Sequence, residues 1–194
     1  MKKVLLLLAN GFETYEASVF IDVVGWNLID GDGTTTLESC GFTKEVNSSF
    51  GQKMVVDQLI GDINVDDYEA LAIPGGFEEY DFYDEAYDDR FSEVIREFKK
   101  KNKIIASVCV GSLAIGKSGI LDGKKGTTYS LKPKRQKALR LFNVNVINEP
   151  IVIDDNIITS WDPSTGIEVA LILLEKLTTK ENVDHIRSIM GFTK

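Results

Sequence analysis

Short, wholly apolar runs and longer segments with apolar residues at helical spacing succeed one another along this chain, and that succession limits the folds open to it. Val4–Ala9 is apolar at every position, as a strand covered on both faces must be. Tyr15–Ile29 then carries Val19, Phe20, Val23, Val24 and Leu28 at the spacing of an amphipathic helix, which Gly25 weakens without excluding it. After the Gly31-Asp32-Gly33 turn a strand is predicted around Thr35–Ser39, and Lys44–Asn47 and Met54–Asp57 flank a turn as a hairpin. Ala70–Ile73 reads as a second buried strand and Asp88–Lys101 as a helix with Phe91, Val94, Ile95 and Phe98 on one face. A strand at Lys103–Val108 and helices at Gly111–Lys117 and Leu131–Phe142 follow. Short strands near Val144–Ile147, Ile151–Ile153 and Ile157–Thr159 precede helices at Thr165–Leu177 and Glu181–Met190. Strand and helix alternating in this way give an α/β fold with a mostly parallel sheet.

Composition narrows the class further. With 194 residues and 43% apolar content the chain can bury a core, and the expectation is a single domain over residues 1–194. A net charge of −8 argues against nucleic-acid binding and against adhesion to an anionic membrane. No apolar run approaches the roughly 20 residues a bilayer span needs. The opening Met1-Lys2-Lys3 and Val4–Ala9 imitate a signal peptide, but the run meets Asn10, Gly11 and Glu13 with no small-residue cleavage site. Two cysteines, Cys40 and Cys109, without an export signal fit a reducing cytoplasm. No Cys/His cluster resembles a metal site, and the sole histidine, His185, reads as a helix residue.

The sharpest chemical feature is Ile104-Ile105-Ala106-Ser107-Val108-Cys109-Val110-Gly111-Ser112-Leu113. A buried strand runs into Cys109 and a helix begins at once, as in a nucleophile elbow, although Ser107 stands where many elbows have glycine. Gly111 lets another backbone approach closely, and the helix start should lower the Cys109 thiol pKa. The alternative is a cysteine packed at a strand end. Pro74-Gly75-Gly76 ends another buried strand on the same sheet edge, so Gly76 N–H and Val110 N–H could hold an oxyanion, or the glycines could form an ordinary turn. The first strand reaches that edge at Asn10-Gly11-Phe12-Glu13-Thr14-Tyr15-Glu16. Glu13 and Glu16 are either first-turn carboxylates or, for one of them, a partner that titrates jointly with Cys109. Cys40 reads as a small core residue. The acidic, aromatic stretch 78–85 reads as a solvated loop beside the cleft, able to act as a lid or an interface.

The ordered set Asn10-Gly11-Phe12-Glu13-x-x-Glu16, Pro74-Gly75-Gly76, Ala106-Ser107-Val108-Cys109-Val110-Gly111 and Thr159-Ser160-Trp161-Asp162-Pro163-Ser164-Thr165 resembles the ThiJ/PfpI family, or DJ-one superfamily, from Lys3 to about Leu177. The resemblance implies a flavodoxin-like three-layer sandwich, with helices on both faces of the sheet, that usually forms a homodimer. It implies that Cys109 is the nucleophile, Glu16 the carboxylic acid bonded to it, and Gly76 and Val110 the oxyanion donors. Gly75, Glu13, Tyr129 and Trp161 then fall in or beside the pocket. In Gly126-Thr127-Thr128-Tyr129-Ser130, Tyr129 stands where many members carry histidine, and a phenol is a poor base at neutral pH. Trp161 and Asp162 replace residues that are often Arg and Gly.

The resemblance, taken with these residues, implies three candidate functions. The first is cofactor-free chemistry on small reactive carbonyls, of the glyoxalase or deglycase kind, with a Cys109 thiolate as nucleophile and Glu16 as proton shuttle. The second is a non-enzymatic redox-sensing stress or chaperone-like protein oxidised at Cys109. The third, a cysteine peptidase or amidase, loses its base to Tyr129.

Overall fold

The computed structural model describes residues 1–192. Its centre is a seven-stranded sheet. The elements in chain order are β1 (Lys2–Leu7), α1 (Thr14–Asp30), β2 (Thr35–Gly41), β3 (Glu45–Asn47), β4 (Lys53–Val55), β5 (Gln58–Leu59), β6 (Ala70–Ile73), α2 (Phe82–Ala86), α3 (Asp89–Lys100), β7 (Ile104–Ser107), α4 (Gly111–Ser118), β8 (Lys125–Gly126), α5 (Pro133–Leu141), β9 (Asn145–Val146), β10 (Ile151–Asp154), β11 (Ile157–Ser160), α6 (Gly166–Leu177) and α7 (Lys180–Ile189). The sheet order is β10-β11-β7-β6-β1-β2-β5, parallel throughout except at the β10–β11 pair.

Val4 to Leu8 are fully buried, which explains the unbroken apolar run: β1 has β2 and β6 beside it and helices above and below. The chain steps from β1 to β2 in one direction and from β6 through β7 to β11 in the other. Right-handed crossovers therefore set α1 and α3 on opposite faces. Helices α1, α6 and α7 pack together on one face, and α2, α3, α4 and α5 on the other. The expected flavodoxin-like sandwich is the observed fold. Among the described residues no helix is long and apolar enough to cross a membrane.

This topology decides where chemistry can sit. The direction of chain progression reverses between β1 and β6, and ligands in open α/β sheets bind at the strands' C-terminal ends beside such a reversal. The segments leaving β1, β6 and β7 there are the three singled out from the sequence. The β3–β4 hairpin braces the first of them: Gly11 N–H donates to Asn47 O at 2.8 Å, and Ser49 Oγ donates to Gly11 O at 2.6 Å. Stretch 78–85 is ordered into a 3-10 turn and helix α2 rather than an open loop, because Phe82 is buried beneath Gly76 and Glu85 accepts a hydrogen bond from Asn10 N at 2.7 Å.

Candidate active site

Cys109 sits between β7 and α4 with φ +55°, a left-handed conformation that a non-glycine residue adopts at a cost of roughly 1–3 kcal/mol. The turn is held from several sides. Gly111 N–H donates to Val108 O at 2.9 Å. The Cys109 carbonyl accepts from Ser112 Oγ at 2.9 Å and from Thr128 Oγ1 at 3.1 Å. Gly111 is where α4 meets the end of β6: a Cβ there would lie 2.7 Å from Ile73 O. Thus the sequence reading of a strand-to-helix elbow with close backbone approach matches the geometry. Cys109 retains 7% exposure and lines a cleft of about 140 Å³.

Glu16, in the first turn of α1, is completely buried behind the thiol. Gly75 N–H donates to its Oε2 at 2.6 Å. Gly75 is small by necessity, since a Cβ would lie 2.8 Å from that oxygen and 3.0 Å from Val110 N. Glu16 Oε1 has no well-aligned hydrogen-bond partner among the described residues, yet the Cys109 thiol and the Glu13 carboxyl are both near enough to shift its titration. Burial, reinforced by the Glu13 charge, pushes the Glu16 carboxyl up to about 8. Burial also pushes Glu13 up; it lines the cleft and interacts with Glu16. Of the two carboxylates left open by the sequence, Glu16 therefore lies behind the sulfur and Glu13 stands at the cleft.

The helix start does not dominate the thiol as the sequence suggested. Burial pushes Cys109 well up, and the Glu16 charge adds to that; the Val110 N–H pulls in the opposite direction but more weakly. The physical reason for this correction is depth, because α4 begins inside the protein and its favourable dipole acts on an ion stripped of water. A protonated Glu16 removes the repulsive contribution. The thiol and the carboxyl consequently titrate as one unit, each holding its proton more tightly than a free side chain would.

Gly76 and Val110 both line the cleft with Cys109, and the Val110 N–H acts on its sulfur. Gly76 forms a bridge with Phe12 in which Glu13 N–H donates to Gly75 O at 2.8 Å and Phe77 N–H to Gly11 O at 3.2 Å, leaving the Gly76 N–H outside that pairing. Neither Gly76 N–H nor Val110 N–H donates to a protein oxygen among the described residues.

With this geometry in place, sequence comparison decides the family. The DJ-1/PfpI family profile matches residues 2–176. The chain belongs to the DJ-1/PfpI family. It is 30% identical over 190 residues to DJ-1 homolog A of Arabidopsis thaliana, covering 97% of this chain and 46% of that protein. It is 31% identical over 166 residues to an uncharacterized protein of Staphylococcus aureus strain N315, covering 84% of this chain and 90% of the relative. The chain thus spans less than half the length of the plant relative. Drosophila melanogaster DJ-1beta superposes with a TM-score of 0.84 at 24% identity, covering 97% of both chains. Oxidized Toxoplasma gondii DJ-1 superposes with a TM-score of 0.82 at 25% identity, covering 98% of both.

Within this DJ-1/PfpI fold, Tyr129 lines the cleft with Cys109, so a phenol occupies the wall where the resemblance led one to look for imidazole. His185 lies on α7, its Nε2 2.9 Å from Asp30 O, remote from the cleft. Trp161 is not among the residues lining the cleft; Pro163 represents that loop instead. Gly75 lies one layer behind the cleft, holding Glu16. Cys40 is fully buried within β2, and burial pushes its thiol up to about 12. Among the described residues no three His, Cys, Asp or Glu side chains are grouped to hold a metal. Sequence reasoning missed Phe77, Lys132 and Arg135 as cleft residues, whereas Glu79 belongs to the stretch it sets beside the cleft. The acidic, aromatic stretch had been placed beside the cleft, but nothing local marks Lys132 or Arg135, which reach it only through the packing of α5.

Proposed function

We propose that the protein acts on small reactive carbonyl compounds through Cys109, with Glu16 as the proton-carrying partner. The observation that carries this reading is the buried pair itself: a strained cysteine open to a small cleft, backed by a carboxyl whose proton burial retains near neutral pH. Loss of one proton from the pair leaves a single negative charge that sulfur and carboxyl exchange, and the form that reacts is the thiolate beside a carboxylic acid. The thiolate adds to the aldehyde carbon of a compound such as methylglyoxal; the S–C bond forms and the carbonyl electron pair moves to oxygen. The N–H groups of Gly76 and Val110 hold that oxygen, which then takes the proton from Glu16, giving a hemithioacetal and leaving Glu16 as carboxylate. Glu16, as carboxylate, removes the hydrogen on the former aldehyde carbon and returns a proton to the neighbouring carbon, while the hydroxyl proton passes from the first carbon's oxygen to the neighbour's oxygen through the enediol. The resulting thioester is hydrolysed by water to lactate and free thiol, so the reaction consumes one water and no oxidant. Metal and organic cofactors have no part in this scheme. The test is lactate formation from methylglyoxal: the wild-type protein should form it and Cys109→Ala should not, whereas equal inactivity of both would end the reading.

A second reading, oxidation sensing at Cys109, is supported by the oxidized state of the Toxoplasma gondii relative and by the contrast in access between the two thiols. Mass spectrometry after mild peroxide should find two added oxygens at Cys109 and none at Cys40. Peptidase or amidase chemistry ranks below both, because Tyr129 supplies no base. The protein is further proposed to work in the cytoplasm as a homodimer, with light scattering as the check on assembly.

A further inference from the structure

The cleft beside Cys109 carries two cations that the chemistry above does not use. Arg135, on α5, and Lys132, just before it, both line the cleft. The Arg135 side chain is only 13% exposed, and its guanidinium lies over the Tyr83 ring, 5.0 Å from the centroid. That stacking fixes the side chain, so little rotamer freedom remains to be lost when a ligand arrives. Only Nη2 is engaged, donating to Glu78 Oε2 at 2.9 Å; Nε and Nη1 donate to no protein acceptor among the described residues. The same Glu78 oxygen also accepts from Lys134 at 3.0 Å, so one carboxylate answers two cations. Lys132 has no ion-pair partner among the described residues. Glu13 and Glu79 line the cleft as well, so its carboxylates equal its cations in number, and what sets Arg135 apart is its half-buried, stacked guanidinium with unused donors.

We propose that the cleft selects carbonyl compounds bearing a carboxylate beside the reactive carbon, of the glyoxylate kind, with the spare donors of Arg135 binding the carboxylate while Cys109 adds to the carbonyl. A planar guanidinium with unused donors matches a carboxylate in shape as well as charge. The addition forms one S–C bond, moves the carbonyl pair to oxygen and transfers the thiol proton there, with no change in oxidation state. The inference deepens the carbonyl reading and rests on Cys109 adding to aldehydes. The whole-molecule charge of −8 repels anions, so any preference for one must arise from local donors.

Protection of Cys109 from iodoacetamide by glyoxylate and by methylglyoxal tests this directly, because the two aldehydes differ only in carrying a carboxylate or an acetyl end. Wild-type protein should be half-protected at about tenfold lower glyoxylate than methylglyoxal. Arg135→Gln should bring the ratio close to one while leaving methylglyoxal protection in place. Lys137→Gln, the same charge change on an exposed position of α5 outside the cleft, should retain the wild-type ratio. Should Arg135→Gln fail to fold, Arg135→Lys keeps the charge but not the planar fork: a ratio at least halved supports the assignment, and an unchanged ratio overturns it. Equal protection by the two aldehydes in wild type, or a full glyoxylate preference in Arg135→Gln, would also overturn it. Protection by neither aldehyde would instead sink the carbonyl reading beneath it.

Discussion

Cys40 and Cys109 are both buried thiols at the sheet, and burial raises the pKa of each. Their surroundings nevertheless give them opposite capacities. Cys40 sits fully buried inside β2, where burial and the Asp62 charge both oppose loss of its proton. Cys109 stands at a strained turn at the C-terminal edge, with a proton-bearing carboxyl behind it, a backbone N–H beside it and a cleft in front. The comparison teaches that depth alone does not decide reactivity. A second titrating group that can share the proton, and a path for the electrophile, separate a working sulfur from a packing atom.

The contrast breaks most sharply by exchange of the two residues' fates. Cys109→Ala should reduce lactate formation to background, whereas Cys40→Ala should keep the wild-type rate per folded molecule. Next in size, Glu16→Gln should lower kcat by about 10²–10⁴, the range for loss of a positioned acid–base group, with lactate assay as the readout. The same variant sharpens the electrostatic side. Because folding raises the Glu16 pKa from 4.5 to about 8, the neutral carboxyl stabilises the folded state fully below pH 4.5, and that contribution is lost as pH rises through 8. Wild-type Tm should therefore fall between pH 5 and pH 8 by more than that of Glu16→Gln. An equal fall in both proteins would show that Glu16 is not held protonated by the fold.

Smaller effects come from the frame around the sulfur. Gly111→Ala places a methyl against Ile73 O and should cost about 1–3 kcal/mol by denaturant unfolding, as overpacking does. Tyr129→Phe should change lactate kcat by less than about threefold, because the proton transfers are assigned to a carboxylate. A loss of tenfold or more would return a chemical role to that hydroxyl.

Much of this arrangement was legible in the chain before any coordinates. Unbroken apolar runs at Val4–Ala9 and Ala70–Ile73 marked doubly covered strands, and glycine two residues after Cys109 marked a close crossing. Signals of that kind are local, arising from periodicity and from backbone space. Strands β5 (Gln58–Leu59) and β8 (Lys125–Gly126) carry no apolar alternation to announce them, unlike the equally short β9 with Val144 and Val146. Helix α2 was missed because its order comes from Phe82 packing under Gly76 and from Glu85 reaching Asn10, both contacts across the fold. The depth of Cys109, and hence the direction of its pKa shift, likewise depends on how β1, β6 and β7 converge. Arg135 joins the site only through the docking of α5, which no spacing in its own helix announces.

The rate of Cys109 alkylation across pH, compared between wild type and Glu16→Gln, bears most directly on the shared proton. Wild type should rise in two steps, since the first proton lost is divided between sulfur and carboxyl and the second is opposed by the charge already present. Glu16→Gln should rise in one step lying between those two. Superimposable single-step curves in the two proteins would show that sulfur and carboxyl titrate independently, and the account would not survive that result.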